Sequence, residues 1–577
     1  MTKDHINCAV LFLLTFLTFS NIFHNQFVMD DYDFVVDWPL IQSWANFPRF
    51  FISYVPPDGQ AGVYSPLKTL FHAISYHLFG LNPFGYHVVS LLVHFISVVF
   101  VYRICLLLTE AKATGLPVAL ASVLARGFMP RASGDPKGRP LTKVSWTAFA
   151  AASLFALHPV QVEAITYITA SVDMMGVMFL FIAFDFYARG KDESSKRRAW
   201  LFAALAIFTH ELTISLPLLF LWYELCFRQE KEGLPVKIRR VCPYFMFAAA
   251  YVLAKYFVLG SLTRGGYLYG SFYLTMLVIV KALVDYVWIC SFPLVLTVNH
   301  IISDGIFSYG PEDFNRAAVL SQSIWDAQTF SAIVALGIIF YFVVRYFKQK
   351  PLVSFCIGWF FLSLVPAANI IPSGIYFGER YLYPGLLGFC LLAAIFLEKI
   401  SRKNIFGADH KNKYLGTAIL SLIVIFYSGR AYLRNQDWKT EITFYESAVK
   451  ENPQSAFMRR DLAIIYLNHG QSERAAAALQ EAIRLKSEDP DLYFTLANIY
   501  LAMTRYQDAQ DALLQAIRLN PEFPEAYYNL AGIYASEGKK NDARAHLAKA
   551  LELYRRQEKF IEAYETHTAL RNYFGSI

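Results

Sequence analysis

The sequence predicts an all-α protein in two parts, a polytopic membrane domain at residues 1–429 and a soluble helical array at residues 430–577. The 577 residues are 56% hydrophobic and only 17% charged, whereas about a quarter of residues are charged in soluble proteins. The charge is uneven, since 39 of the last 148 residues are charged against 58 of the first 429. Length and composition therefore exclude a single soluble domain, a disordered chain and a disulfide-stapled secreted module.

Twelve apolar runs predict about 11 to 13 membrane spans, because ~20 apolar residues cross a bilayer. The runs lie near residues 7–27, 84–108, 145–157, 170–188, 199–209, 212–227, 241–259, 273–298, 326–344, 352–366, 384–397 and 414–429. Several are shorter than a full span, which predicts broken or half-length helices around a cavity in the outer half of the membrane. The first run has no clear cleavage site before Asp30 and is interpreted as a retained anchor.

The polar loops alternate in charge along the chain. One set holds 24 Lys and Arg against 8 Asp and Glu, at residues 109–143, 189–198, 228–240, 345–350 and 398–413. The loops between them hold 5 basic and 11 acidic residues. The positive-inside rule puts the basic set in the cytoplasm and the C-terminal array outside, in a bacterial inner membrane or an endoplasmic reticulum membrane. Twelve spans would return the chain to the side of the membrane where it began, whereas the loop charges put its C-terminal array on the opposite side. One run must therefore be re-entrant, or two runs must merge.

A period of 34 residues organises the C-terminal array into three full repeats near 456–557. Five positions recur at this spacing: Leu462, Leu496 and Leu530; Ala463, Ala497 and Ala531; Tyr466, Tyr500 and Tyr534; Ala475, Ala509 and Ala543; Ala482, Ala516 and Ala550. This is the tetratricopeptide spacing, with small residues where paired helices touch and Leu and Tyr between the helices. A partial repeat precedes the array and a capping helix follows it, so the sequence predicts an α-solenoid whose concave face binds a peptide or a partner protein.

Four polar clusters sit where apolar runs emerge on the predicted outer face. They are Asp30 with Asp31, His158 with Glu163, His210 with Glu211, and Glu379 with Arg380. Ionisable groups at membrane depth are costly and usually line a functional cavity. Three of the clusters also have a stated structural alternative: a solvated turn for Asp30 and Asp31, a helix start for His158 before a proline, and an ion pair for Glu379 and Arg380. Their convergence on one side favours a functional site.

The sequence predicts neither a metal site nor nucleic-acid binding. All seven cysteines lie in or beside apolar runs and are interpreted as small core residues. The last 148 residues hold 19 basic and 20 acidic side chains, with no basic stripe. No cofactor is implied.

Several strings resemble motifs of the transmembrane and tetratricopeptide repeat O-mannosyltransferases and their bacterial relatives. They are Phe27-Val28-Met29-Asp30-Asp31, Tyr64-Ser65-Pro66-Leu67, Asn82-Pro83-Phe84-Gly85-Tyr86-His87, His158-Pro159-Val160 with Glu163-Ala164, Glu379-Arg380-Tyr381-Leu382-Tyr383 and Arg434-Asn435-Gln436-Asp437-Trp438. They run in the family's order over nearly the whole chain. The sequence departs from the family's pattern at Ser65 and Ser171, where Arg is often found, and at His210, where Lys is usual.

The resemblance implies a glycosyltransferase of the GT-C superfamily that uses a polyprenyl-phosphate sugar, such as mannose, on the non-cytoplasmic face. It gives the role of catalytic base to Asp30 or Asp31. Arg380, with His158, Glu163, His210, Glu211 and Glu379, is then expected to bind the donor phosphate or line the cavity, because Arg offers a planar fork to phosphate oxygens. The acceptor would be a Ser or Thr hydroxyl of a protein. Two alternatives remain: a non-catalytic membrane-anchored scaffold, and a transporter of lipid-linked sugars.

Overall fold

The computed structural model describes residues 3–52, 64–114, 142–190, 192–228, 232–303, 306–311, 323–402 and 414–574. The chain divides into two compact units, and the C-terminal unit begins at Ile442. The expected basic loop segments at residues 115–141 and 403–413 lie outside the described residues. Both units are helical, which confirms the predicted fold class.

The N-terminal unit is built from helices of very different lengths. They are α1 (Lys3–Phe19), α2 (Arg49–Ile52), α3 (Pro66–Phe79), α4 (Pro83–Thr114), α5 (Thr142–Leu157), α6 (Val162–Thr166), α7 (Ile168–Arg189), α8 (Glu193–Thr209), α9 (Leu216–Phe227), α10 (Leu234–Leu259), α11 (Phe272–Ser291), α12 (Ala327–Tyr346), α13 (Pro351–Ser363), α14 (Leu386–Arg402) and α15 (Leu415–Asp437). The helix α15 continues past Arg430, so the change in composition there does not coincide with a helix end.

Seven helices in the described part of the chain are long and apolar enough to cross a membrane. They are found at Asp4–His24, Pro83–Glu110, Ile168–Arg189, Leu234–Leu259, Phe272–Ser291, Ala327–Tyr346 and Leu415–Asp437. An eighth span results if the segments Trp146–Leu157 and Pro159–Thr166, which meet at 47°, are counted together. The remaining predicted runs form shorter helices. The protein is therefore a multi-pass membrane protein.

The helix α7 lies at the centre of this unit and α12 at its edge. In the most apolar 18-residue stretch of α7, 94% of the residues are buried, because the helix packs against both α4 and α8. In α12 only 11% are buried, and its exposed side chains include Phe330, Ile338 and Phe340. A surface this apolar suits contact with lipid and not with water.

Prolines account for several of the helix breaks. His158 separates α5 from α6 in an extended conformation, as expected of a residue that precedes a proline. The helix α11 ends at Ser291, two residues before Pro293, so the last part of the run at 273–298 is not helical. A small antiparallel sheet follows, with strands β1 (Ile301–Ser303), β2 (Ile306–Phe307) and β3 (Gly310–Pro311) in that order. The sequence did not predict this sheet.

The C-terminal unit is a run of antiparallel helix pairs. Its helices are α16 (Glu441–Glu451), α17 (Ala456–Asn468), α18 (Ser472–Leu485), α19 (Pro490–Ala502), α20 (Tyr506–Leu519), α21 (Pro524–Ser536), α22 (Lys540–Arg556) and α23 (Phe560–Phe574). The recurring alanines of the 34-residue period are buried throughout. So are Leu462, Leu496, Leu530, Tyr466 and Tyr500, whereas Tyr534 is half-buried.

Candidate functional site

The turn after the first span fixes Asp31 in the protein interior. The backbone N–H of Val28 donates to its carboxylate over 3.2 Å, and the N–H and hydroxyl of Thr169 donate over 2.8 and 2.7 Å. Burial raises the pKa of Asp31 to about 7, although the hydrogen bonds from Thr169 and Val28 oppose this rise. Thr169 belongs to the first turn of α7. Asp31 therefore binds the turn after the first span to the central helix, α7.

Asp30, the neighbour of Asp31, is exposed. The residue before it, Met29, has a φ of 52°, a left-handed conformation that non-glycine residues seldom adopt. Such backbone strain persists only where the surrounding structure imposes it, and it is concentrated at functional sites. The two adjacent acidic residues thus have different surroundings, one bonded in the interior and the other facing outward.

The imidazole of His158 is a buried helix cap. Its Nδ1 accepts a hydrogen bond from the N–H of Val160 over 3.3 Å, and its Nε2 lies 3.0 Å from the carbonyl of Cys290. The ring contacts Tyr427, with centroids 4.7 Å apart, and the residue is fully buried. Both ring nitrogens are engaged within the protein, as the alternative of a helix start before Pro159 predicts.

Glu163 and Arg380 form a buried ion pair between α6 and the turn that precedes α14. The guanidinium Nη1 of Arg380 donates to one carboxylate oxygen of Glu163, and the backbone N–H of Arg380 donates to the other over 3.2 Å. The guanidinium also lies over the ring of Tyr381, 5.2 Å from its centroid. Two predicted site residues that are 217 positions apart in sequence are therefore in direct contact.

Glu379 binds a different partner from its neighbour Arg380. Its carboxylate lies 2.9 Å from Nε2 of His300, and its side chain is fully buried. The alternative of an ion pair between Glu379 and Arg380 is not what the structure contains, because each side chain turns to a separate element.

His210 joins a second network through Asp173 of α7. The Nζ of Lys68 lies 2.7 Å from the Asp173 carboxylate, and Nε2 of His210 lies 3.5 Å from the same oxygen. Burial lowers the pKa of His210 to about 4, so its imidazole is neutral at physiological pH. Lys68 therefore supplies the positive charge beside Asp173.

The carboxylate of Glu211, the neighbour of His210, is paired with two cations. Lys255 at the end of α10 lies 2.8 Å from one carboxylate oxygen, and Arg264 lies 2.7 Å from the other. Although burial opposes ionisation, Arg264 and Lys255 lower the pKa of Glu211 to about 2. The carboxylate is thus ionised at any physiological pH.

The predicted clusters gather at one end of the helical unit. They occupy the turn that follows the first span, the break between α5 and α7, the break between α8 and α9, and the turn before α14. The sequence did not single out their partners Lys68, Lys255 and Arg264 as site residues. Lys68 and Lys255 each stand alone among apolar neighbours in a helix, which is the signal that points to a functional cavity.

The C-terminal end of α15 and the residue that follows it, Trp438, pack against the same end. The ring of Trp438 lies 5.5 Å from the ring of Tyr167 at an interplanar angle of 31°. The side chain of Asn435 accepts a hydrogen bond from the Thr166 hydroxyl over 2.7 Å and donates to Asn21 over 2.9 Å. The family-like string at 434–438 is therefore in contact with the residues that precede α7.

No group of three or more His, Cys, Asp or Glu side chains that could hold a metal ion occurs among the residues that the structure describes.

Comparison with known proteins finds similar sequences for the repeats and for most of the chain. A family model described as Tetratricopeptide repeat matches residues 494–558, and one described as Anaphase-promoting complex, cyclosome, subunit 3 matches residues 434–516. Protein O-mannosyl-transferase Tmtc3 of Drosophila melanogaster is 24% identical over 512 residues, which cover 80% of this chain and 52% of that protein. Protein O-mannosyl-transferase TMTC3 of Homo sapiens is 24% identical over 471 residues, covering 74% and 45% respectively.

The chain is therefore similar in sequence to protein O-mannosyl-transferases and carries tetratricopeptide repeats. It spans about half the length of these two relatives. Among solved structures, the crystal structure of MamA is similar to 25% of this chain and covers 85% of that protein, with 24% sequence identity and a TM-score of 0.21.

The structure gives a physical context to two positions, Ser65 and Ser171, at which this chain departs from the pattern of the family that it resembles. Lys68 lies almost one helical turn after Ser65 on α3 and pairs with Asp173. The hydroxyl of Ser171 is turned away, donating to the carbonyl of Ile168 over 2.7 Å. In this chain the cation next to Asp173 comes from α3, and neither serine provides one.

Proposed function

We propose that the protein is a GT-C-type glycosyltransferase that transfers a sugar, mannose in the first instance, from a polyprenyl-phosphate carrier to Ser or Thr hydroxyls of proteins. The reaction takes place on the non-cytoplasmic face, where the C-terminal array also lies. The relationship to protein O-mannosyltransferases supports the reaction class. The cluster of ionisable groups at one end of the membrane unit supports a site at its surface.

Asp30 is the catalytic base, and the contrast between the two adjacent carboxylates carries this assignment. Asp31 already accepts three hydrogen bonds in the interior, whereas the side chain of Asp30 is exposed. A base must come within hydrogen-bond reach of the hydroxyl proton that it removes. Asp31 then serves to hold the turn on which Asp30 stands.

The transfer step inverts the anomeric centre. The acceptor hydroxyl gives its proton to Asp30 while its oxygen attacks the anomeric carbon, and the bond between that carbon and the phosphate oxygen breaks. The electron pair of this bond leaves with the polyprenyl phosphate, which needs a cation and not a strong acid. Arg380 is suited to this role, because Glu163 fixes one guanidinium nitrogen and the planar fork carries further N–H donors.

The C-terminal array binds the acceptor protein or a partner. Its stacked helix pairs form the kind of extended concave surface that such solenoids use for binding. This assigns recognition to the array and chemistry to the membrane unit.

Mass spectrometry of non-cytoplasmic proteins tests the proposed function. Cells with and without the gene should differ in O-linked hexose on Ser and Thr residues, with the modified peptides present only when the gene is intact. Restoring the gene should restore the same peptides. Identical glycopeptide sets in the two strains would contradict the proposal and favour the scaffold, and a build-up of lipid-linked sugar on one face would favour the transporter.

A further inference from the structure

Tyr167 lies between α6 and α7, two residues before Thr169, which binds the turn that carries Asp30 and Asp31. Its backbone is extended, and only 3% of the residue is exposed. The phenolic oxygen is buried and makes no hydrogen bond of ordinary distance and angle to the described residues, and the nearby Asp30 carboxylate is the side chain that interacts with it as an acceptor. Buried hydroxyls are normally satisfied, so a group that lacks an ordinary hydrogen bond in the resting structure calls for a function.

The charges around this hydroxyl belong to the candidate site. Burial raises the pKa of Tyr167 well above its usual range, the charges of Asp30 and Asp31 raise it further, and the charge of Arg380 lowers it. Of these charges, that of Asp30 acts most strongly. In the chain Tyr167 lies between Glu163, which binds Arg380, and Thr169, which binds Asp31, so its phenol is close to both the proposed base and the proposed phosphate-binding cation.

Two donors near the two carboxylates already have partners. The Thr169 hydroxyl is bonded to Asp31, and the Arg380 guanidinium is bonded to Glu163. The ring of Tyr167 is held in place by Trp438, whose indole lies against it with the two rings 31° from parallel. A rigid ring with its O–H beside a carboxylate is what a positioning residue requires.

We propose that Tyr167 is a positioning residue for Asp30. Its phenolic O–H donates a hydrogen bond to one oxygen of the Asp30 carboxylate, which orients the other oxygen towards the acceptor hydroxyl. This proposal rests on the proposed function, in which Asp30 is the base. The ring of Trp438 packs against the phenol of Tyr167, so a residue just before the repeat array contributes to the geometry of the site.

Kinetics with purified full-length protein, polyprenyl-phosphate mannose and an acceptor peptide test this role. A hydrogen bond to a charged group is worth enough that Tyr167→Phe should lower kcat about 10- to 100-fold while the KM for donor and for acceptor each change less than about twofold. The matched control is Tyr251→Phe, which also removes a buried hydroxyl, one bonded to the Tyr64 carbonyl. In an Asp30→Asn background, Tyr167→Phe should add no further loss.

A readout without catalysis guards against a folding artefact. With 3-fluorotyrosine placed at position 167, the fluorine resonance should move on Asp30→Asn and stay in place on Asp37→Asn, since Asp37 is an exposed acidic residue in the same loop. A fluorine resonance that does not shift on Asp30→Asn overturns the proposal. So does a Tyr167→Phe protein whose kcat equals that of the Tyr251→Phe control.

The two proposals fail separately. If the wild-type protein transfers mannose and Tyr167→Phe does not lower kcat, only the role of Tyr167 is lost. If the wild-type protein transfers nothing, the proposed function falls and the catalytic use of Tyr167 with it, whatever the fluorine resonance shows.

Discussion

At the scale of single residues, the two neighbouring aspartates show what the sequence can and cannot reveal. The pair Asp30 and Asp31 is visible in the sequence as a candidate base, but nothing in the string distinguishes the two. The distinction depends on Thr169, which is 138 residues from Asp31. Its backbone N–H and its hydroxyl donate hydrogen bonds to Asp31 and not to Asp30. A pairing over that distance is set by the packing of the turn against α7, which a single sequence does not encode in any local pattern.

The raised pKa of Asp31 predicts how stability depends on pH. A carboxyl whose pKa is about 7 in the folded protein and near 4 in the unfolded chain binds its proton more tightly when folded. The free energy of unfolding should therefore fall as pH rises from about 4 to about 7, by up to about 1.4 kcal/mol per unit of pKa difference, and then level off.

Asp31→Asn removes this dependence, because the amide does not ionise. The melting temperature of the wild-type protein in detergent should exceed that of Asp31→Asn by more at pH 5 than at pH 8. The matched exposed variant, Asp37→Asn, should follow the wild type at both pH values. A gap for Asp31→Asn that widens towards pH 8 would show that the folded protein favours the charged carboxylate.

At the scale of elements, the helix breaks were the more predictable part of the site. Prolines and short apolar runs indicated half-length helices, and His158 and His210 lie at two such breaks. The partners at those breaks were less predictable. Glu163 and Arg380 were both candidates, yet their contact joins α6 to the turn before α14, elements far apart in the sequence.

The C-terminal end of α15 is predicted to stabilise the junction between α6 and α7. Asn435→Ala would leave the Thr166 hydroxyl and the side-chain amide oxygen of Asn21 without their buried partner. Each unsatisfied group costs about 1–3 kcal/mol, so the melting temperature should fall by several degrees. The adjacent Gln436→Ala, at an exposed position, should change it little. Equal melting temperatures for the two variants would show that this network carries no stability.

At the scale of the whole molecule, composition and period predicted the division into a membrane unit and a repeat array. The 34-residue spacing works because each repeat reuses one packing solution, so identical residues mark identical places. The membrane unit lacks such a repeat. Its fine structure, including the small sheet at β1 to β3 and the pairing of Lys68 with Asp173, arises from contacts that differ at every position.

The most direct measurement of the central claim is sugar transfer by purified protein carrying Asp30→Asn. Wild-type protein with radiolabelled polyprenyl-phosphate mannose and a Ser- or Thr-containing acceptor should give labelled acceptor. Asp30→Asn should lower the rate by about 10²- to 10⁴-fold, the range expected when a general base is lost, with an unchanged melting temperature. Asp37→Asn, the exposed control in the same loop, should retain full activity. An active wild type with an equally active Asp30→Asn variant would contradict the account.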